Sequence, residues 1–317
     1  MLCWQLNRRN KMELYRKVVY YPDVKFSDLD AGVCVAYPLP DGKYKYYGVP
    51  SFLIIGVQKC GTTELRNWLN MHPHLRGLRS EGNFFDEVLD LEKEWLRYVL
   101  NPFLLLSKEK QHFLCHQHLQ TFEKTPAYFH KENRGVSIPA LIKKMMPAGK
   151  FIVTLRNPSE RAYSAYQMGR KTRRTRDACQ DYIAHDFLTV INKAMSPQIS
   201  QKSSQKRLIT IGHYAEHIEN WLNYFSPDQL CVVLLEEFKN NPFEVMEKLM
   251  NFLELPHFDY RPLVEKNFRG LWTTRQKYRI SSKANDPEYE PMSQLARELL
   301  DEYYAPWNQK LKKLMPN

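Results

Sequence analysis

Residues 51–70 read SFLIIGVQKCGTTELRNWLN: a short apolar, β-branched run, a glycine-bounded loop, and then apolar residues at helical spacing. Phe52 to Ile55 fit a buried strand, Gly56 and Gly61 bracket a turn, and Leu65, Trp68 and Leu69 recur on one face of a following helix. The first backbone N–H groups of such a helix have no intrahelical partner and carry the positive end of its dipole, so the loop is built to receive an anionic oxygen. Lys59 adds a full charge there, and Thr62 and Thr63 add hydroxyl donors. The order weakens a Walker A reading, which needs Lys directly after its second Gly; here Thr62 takes that place and Lys59 sits inside the loop.

A second unit of the same kind follows. Lys150 to Leu155 (KFIVTL) predicts another buried strand, and Arg156-Asn157-Pro158-Ser159-Glu160-Arg161 leads at once into Ala162-Tyr163-Ser164-Ala165-Tyr166. Pro158 suits the first turn of a helix, where its missing N–H costs nothing. Arg156 at the strand end and Ser164 two turns along are spaced to converge on one phosphate, the first by a fork of donors and the second by its hydroxyl. With Leu230 to Leu235 (LCVVLL) as a further strand, the alternation predicts an α/β fold with a central parallel sheet flanked by helices.

The order I-I-G-x-x-K-x-G-T-T resembles the 5′-phosphosulfate loop of sulfotransferases that use 3′-phosphoadenosine 5′-phosphosulfate (PAPS), and R-[DN]-P-x-x-R-x-x-S resembles their 3′-phosphate motif. Glu81 to Asp86 (EGNFFD) and Phe122 to Phe129 (FEKTPAYF) resemble segments of heparan sulfate 3-O-sulfotransferases and of heparan N-sulfotransferase domains. Leu295 to Leu311 looks like the closing helix of Golgi carbohydrate sulfotransferases, including the N-acetylgalactosamine 4-sulfate 6-O-sulfotransferase. The resemblance implies a single sulfotransferase domain with a P-loop-like fold over residues 50–317, preceded by an extension over residues 1–49.

By this resemblance Lys59, Cys60, Gly61, Thr62 and Thr63 hold the 5′-phosphosulfate, Arg156, Ser164 and Lys283 the 3′-phosphate, and Tyr214 lies near the adenine. Glu81 matches the general base, and Lys124 and Asp86 match residues lining the cleft where donor and acceptor meet. Two departures stand out: Asn83 replaces a family His and cannot titrate, and Lys283-Ala284-Asn285 keeps only the Lys of a K-G-R loop. A cysteine pair that staples the acceptor side in the 3-O-sulfotransferases is missing near residues 268–282. Acceptor identity therefore does not carry over.

Lys and Arg exceed Asp and Glu by 46 − 35 = 11, a surplus that favours a polyanionic partner. Arg170, Lys171, Arg173 and Arg174 concentrate this charge just after the second motif and are the candidate contacts to an acidic, glycosaminoglycan-like glycan; no zinc-finger or RNP pattern points to nucleic acid. Sulfuryl transfer moves a singly charged group, so no divalent metal is required. The sequence shows no run of eighteen apolar residues, which leaves any membrane attachment to an anchor not visible here. The resemblance implies the Golgi lumen, with cytoplasm as the alternative. An ATP-using kinase, a sulfotransferase of a small-molecule alcohol and a glycan-binding protein with weakened catalysis are the competing readings.

Overall fold

A computed structural model describes residues 17–101, 104–107, 119–171, 177–201, 203–267, 270–275 and 290–315. Lys283, Arg173 and Arg174 lie outside these residues. Among the described residues the strands are Val18–Tyr20 (β1), Cys34–Pro38 (β2), Tyr44–Gly48 (β3), Phe52–Gly56 (β4), Leu75–Gly77 (β5), Leu105–Ser107 (β6), Gln120–Lys124 (β7), Glu132–Asn133 (β8), Val136–Ser137 (β9), Lys150–Leu155 (β10), Leu230–Leu234 (β11), Val264–Lys266 (β12) and Trp272–Thr274 (β13). The helices are Thr62–Leu69 (α1), Phe84–Glu87 (α2), Leu91–Val99 (α3), Ile138–Met145 (α4), Pro158–Lys171 (α5), Asp177–Ala184 (α6), Phe187–Met195 (α7), Ser204–Thr210 (α8), Tyr214–Leu222 (α9), Leu235–Asn240 (α10), Pro242–Phe252 (α11) and Gln294–Leu314 (α12).

The central sheet has the order β11-β10-β4-β7-β5, and every neighbouring pair is parallel. Both of its faces are covered, which is why its strands read as unbroken apolar runs rather than alternating ones. Leu53, Ile55, Phe151 and Val153 point into a core shared with Phe84 and Phe85 of α2, Ile138 and Ile142 of α4, and Trp221 of α9. Phe52, Ile54, Phe122 and Ile152 point the other way, onto Leu65 and Trp68 of α1, Phe238 of α10 and Met246 of α11. The strands expected at residues 52–55 and 150–155 are present, as is the helix opening on Pro158. The third strand stops at Leu234, because Leu235 already begins α10.

Residues 17–49 fold onto this body. They supply three strands of a second sheet, β1-β2-β3-β6, and their Val33, Val35 and Val49 join the core of Leu53 and Ile55. Thr121 Oγ1 donates to Gly48 O at 3.0 Å and Ala148 N donates to Asp30 Oδ1 at 2.9 Å, fixing the segment from two sides. Ser203 caps α8, its hydroxyl accepting from Lys206 N at 3.0 Å.

Helix α12 closes the fold against α5, α8 and α9, with Ala296, Leu300 and Tyr304 buried beside Ala162 and Leu208. His213 stacks on Trp307 with ring centroids 4.0 Å apart and lies 2.9 Å from Tyr303 Oη through Nε2. Burial pulls His213 down to about 4, and burial also lowers His130, His217 and His72. Each of these rings is more easily protonated in the unfolded chain, so folding stability is present above the unfolded histidine pKa and is lost as pH falls below it. Urea midpoints should therefore drop between about pH 7 and about pH 5. The drop should shrink when His213 is replaced by Gln, provided that variant keeps its fold by circular dichroism.

Candidate active site

Strands β10, β4 and β7 lie side by side and parallel, so their carboxyl ends open on one edge of the sheet, where ligands of such sheets bind. The loop after β4 occupies the middle of that edge. It is tied to β10 by Val57 N donating to Thr154 O at 3.0 Å and Thr154 Oγ1 donating to Gly56 O at 3.1 Å. Phe129 packs so closely that a Cβ on Gly56 would stand 2.6 Å from its Cβ. Gly61 caps α1 with φ +82°, and a Cβ there would lie 2.6 Å from Leu235 Cδ1, so both backbone shape and space require glycine. Lys59 also has a positive φ, +72°, and none of the described residues pairs with its amine. Thr62 is buried in the first turn of α1 and Thr63 is exposed.

On the β7 side, Lys124 Nζ donates to Glu81 Oε1 at 2.6 Å, with the Lys side chain 5% exposed and the Glu side chain 44% exposed. A buried ammonium thus holds an open carboxylate at the mouth. Burial lowers the Lys124 pKa, and the contact with Glu81 opposes that shift. Arg66 of α1, also buried, donates from Nη1 to Arg79 O at 2.5 Å and its charge interacts with Glu81. Nothing in its surrounding sequence marked Arg66 for this role. Asp86, expected to line the cleft, does not join the pair: its side chain is 0% exposed and is bound by Lys131 Nζ at 2.6 Å. Its carboxylate is therefore closed off by the fold and acts here as a strut between α2 and the segment after Phe129.

On the β10 side, Arg156 Nη2 lies 3.2 Å from Glu160 Oε2, and Arg297 of α12 grips the other oxygen of Glu160. Asn157 Oδ1 accepts from Glu160 N at 3.0 Å, shaping the start of α5. Ser164 is buried on the same helix, one and two turns from Glu160 and Arg156. Arg170 and Lys171 are exposed in the last turn of α5, Arg170 with its guanidinium 5.6 Å from the Tyr166 ring centre. Two of the expected residues lie beneath the loop. The Cys60 thiol turns inward, fully buried, and burial pushes it up to about 11; its amide donates to Val57 O at 3.0 Å. Tyr214 is buried behind the loop with its Oη 3.7 Å from Cys60 Sγ, so it supports the loop from below instead of facing the opening.

A loop of helix-head amides flanked by a lysine–glutamate pair and an arginine is a setting suited to an anionic ligand. The chain belongs to the sulfotransferase family: the model described as "Sulfotransferase domain" matches residues 50–286. It is 32% identical over 278 residues to the human bifunctional heparan sulfate N-deacetylase/N-sulfotransferase 3, covering 84% of this chain and 30% of that protein. A Drosophila melanogaster bifunctional heparan sulfate N-deacetylase/N-sulfotransferase is 30% identical over 282 residues, covering 84% of this chain and 26% of its own. The chain thus spans under a third of the length of these relatives. A crystal structure of a sulfotransferase from Alicyclobacillus acidocaldarius shares the fold, with TM-score 0.54 and 20% identity over 84% of this chain and 96% of that one.

The loop geometry makes a direct prediction for Gly61→Ala. A left-handed alanine costs about 1–2 kcal/mol before the Leu235 contact is counted. The variant should lose at least that much stability in urea and bind adenosine 3′,5′-bisphosphate about 10-fold more weakly or worse by calorimetry. Affinity equal to the parent would show that the amides at this turn do not hold the nucleotide.

Proposed function

We propose that this chain transfers the sulfuryl group of PAPS to a hydroxyl or amine of a glycosaminoglycan-like glycan. The observation that carries the reading is the Lys124–Glu81 contact of 2.6 Å on the strand next to the phosphate-type loop, which puts a held carboxylate beside an anion cradle. The cradle suits the donor: its lysine is unpaired among the described residues, Arg156 follows the neighbouring strand, and Ser164 lies on the helix after it. Lys59 and the first amides of α1 would bind the 5′-phosphosulfate, and Arg156 and Ser164 the 3′-phosphate.

Glu81 takes the proton of the acceptor as its oxygen or nitrogen bonds to sulfur and the bond from sulfur to the phosphate oxygen breaks in line. Lys124 orients that carboxylate, and Lys59 neutralises charge growing on the leaving oxygen. An acidic glycan is supported by the net charge of +11 and by the exposed Arg170 and Lys171 at the end of α5. The relatives named for heparan sulfate support the same acceptor class. Residence in the Golgi lumen belongs to this reading; among the described residues no helix is long and apolar enough to cross a membrane.

Transfer of labelled sulfate from PAPS across a panel of glycans and small alcohols, with product mapping, tests the reading. Glu81→Gln keeps shape and hydrogen bonding but cannot accept the proton, so kcat should fall roughly 10²-fold or more with nucleotide affinity nearly unchanged. A Gln variant that keeps its kcat and raises only the acceptor KM would make Glu81 a binding residue. Lys59→Ala should remove nearly all turnover in a folded protein, and Arg156→Ala should weaken adenosine 3′,5′-bisphosphate; unchanged values in calorimetry and turnover would overturn those assignments.

A further inference from the structure

Next to Lys124 in β7 lies a carboxylate of a different kind. Glu123 is completely buried, and three hydroxyls converge on it. Tyr98 Oη donates to its Oε2 at 2.6 Å, Thr125 Oγ1 donates to its Oε1 at 3.1 Å, and Tyr128 supplies the third bond. Two of these hydroxyls are also acceptors. Thr125 Oγ1 takes Gly82 N at 3.0 Å and Asn83 N at 3.3 Å, and Tyr128 Oη takes Phe84 N at 2.9 Å and Phe85 N at 3.3 Å.

A hydroxyl that accepts backbone N–H groups still has its proton to give to an oxygen, and Glu123 is in reach of both hydroxyls, which are also linked to each other. Burial raises the Glu123 pKa and the three hydroxyls oppose that rise, and two of those oxygens connect the carboxyl group to four successive amides. Those amides are the ones directly after Glu81, and three of them, from the N-cap Asn83 to Phe85, are orphan donors at the head of α2. The fit is close: a Cβ on Gly82 would stand 2.0 Å from Glu123 Oε2.

We infer that Glu123 is a positioning residue of this site: through the hydroxyls of Thr125 and Tyr128 it clamps residues 82–85, and so fixes the Glu81 carboxylate against Lys124. The inference rests on the reading of Glu81 as proton acceptor, while the clamp itself does not. A second consequence concerns Lys124, which is faced by Glu81, Glu123 and Arg66. Burial and Arg66 lower the Lys124 pKa, and the two carboxylates raise it; removing the Glu123 charge should lower it further. A group that only filled space would leave this titration alone.

The test uses the full chain and four proteins: the parent, Glu123→Gln, Thr125→Val and Thr125→Ser. In Glu123→Gln and Thr125→Val, amide hydrogen exchange at residues 82–85 should speed up about 10-fold or more while strands β4 and β10 exchange as in the parent. Turnover should fall about 10-fold or more in kcat, with acceptor KM and adenosine 3′,5′-bisphosphate affinity within about 2-fold. Thr125→Ser keeps the hydroxyl and should match the parent in both. The alkaline limb of the kcat–pH profile should move to lower pH in Glu123→Gln. Unchanged exchange at residues 82–85, or a kcat within about 2-fold of the parent in both Glu123→Gln and Thr125→Val, overturns the inference. If the Gln variant does not fold, the Val and Ser pair decides by the same readouts. Should the parent transfer no sulfate to any acceptor, the sulfuryl-transfer reading fails, and the exchange rates still decide whether the clamp exists.

Discussion

The amides at the head of α1 can hold an anion only if the strand that delivers them cannot shift, and β4 is fixed on both sides. Its neighbours β10 and β7 are parallel to it, bonded along its length and covered by apolar residues on both faces. The same arrangement brings Arg156 and Lys124, one from the end of each neighbour, to flank the loop. Phe129 pressed on Gly56 and Leu235 pressed on Gly61 close the loop from two directions. Positioning therefore comes from the packed sheet, and the exposed side chains inherit it.

The electrostatics of the two flanks differ in a way that suits different tasks. On the β7 flank a nearly buried lysine and a buried arginine face one half-exposed carboxylate, so Glu81 is held by charge yet remains open to solvent and to an acceptor. On the β10 flank the carboxylate of Glu160 is shared between Arg156 and Arg297, so an arginine is the group kept in place. A fixed carboxylate suits proton removal, and a fixed guanidinium suits binding of a phosphate.

The elements that could be read from the chain are those set by local pattern. The unbroken apolar runs 52–55 and 150–155, the glycine-bounded turn and Pro158 at a helix start each encode their structure within a few residues. The clamp could not be read this way, because Thr125 and Tyr128 meet amides some forty positions earlier and look in sequence like ordinary strand and turn residues. Arg66 was hidden for the same reason: on α1 it looks like a surface charge until the chain returns with Glu81. Asp86 differs in the opposite sense: its motif suggests a cleft residue, while its side chain is buried and bound by Lys131. Residues 17–49 carry no recognisable motif, yet Val35 and Val49 are as buried as the strands they cover.

The floor of the loop shows how burial and charge are reconciled in the interior. Arg161 is wholly buried on α5 and donates to Leu208 O. Its charge opposes the burial-driven rise of Cys60 and Tyr214, and it adds to the burial that keeps His130 and His217 low. The positive charge behind the loop is thus carried by a guanidinium, while burial lowers the histidines around it toward their neutral form. Titrating rings in that place would make the potential under the loop vary with pH. An arginine keeps the potential under the loop steady, so the electrostatics there depend little on the surrounding acidity.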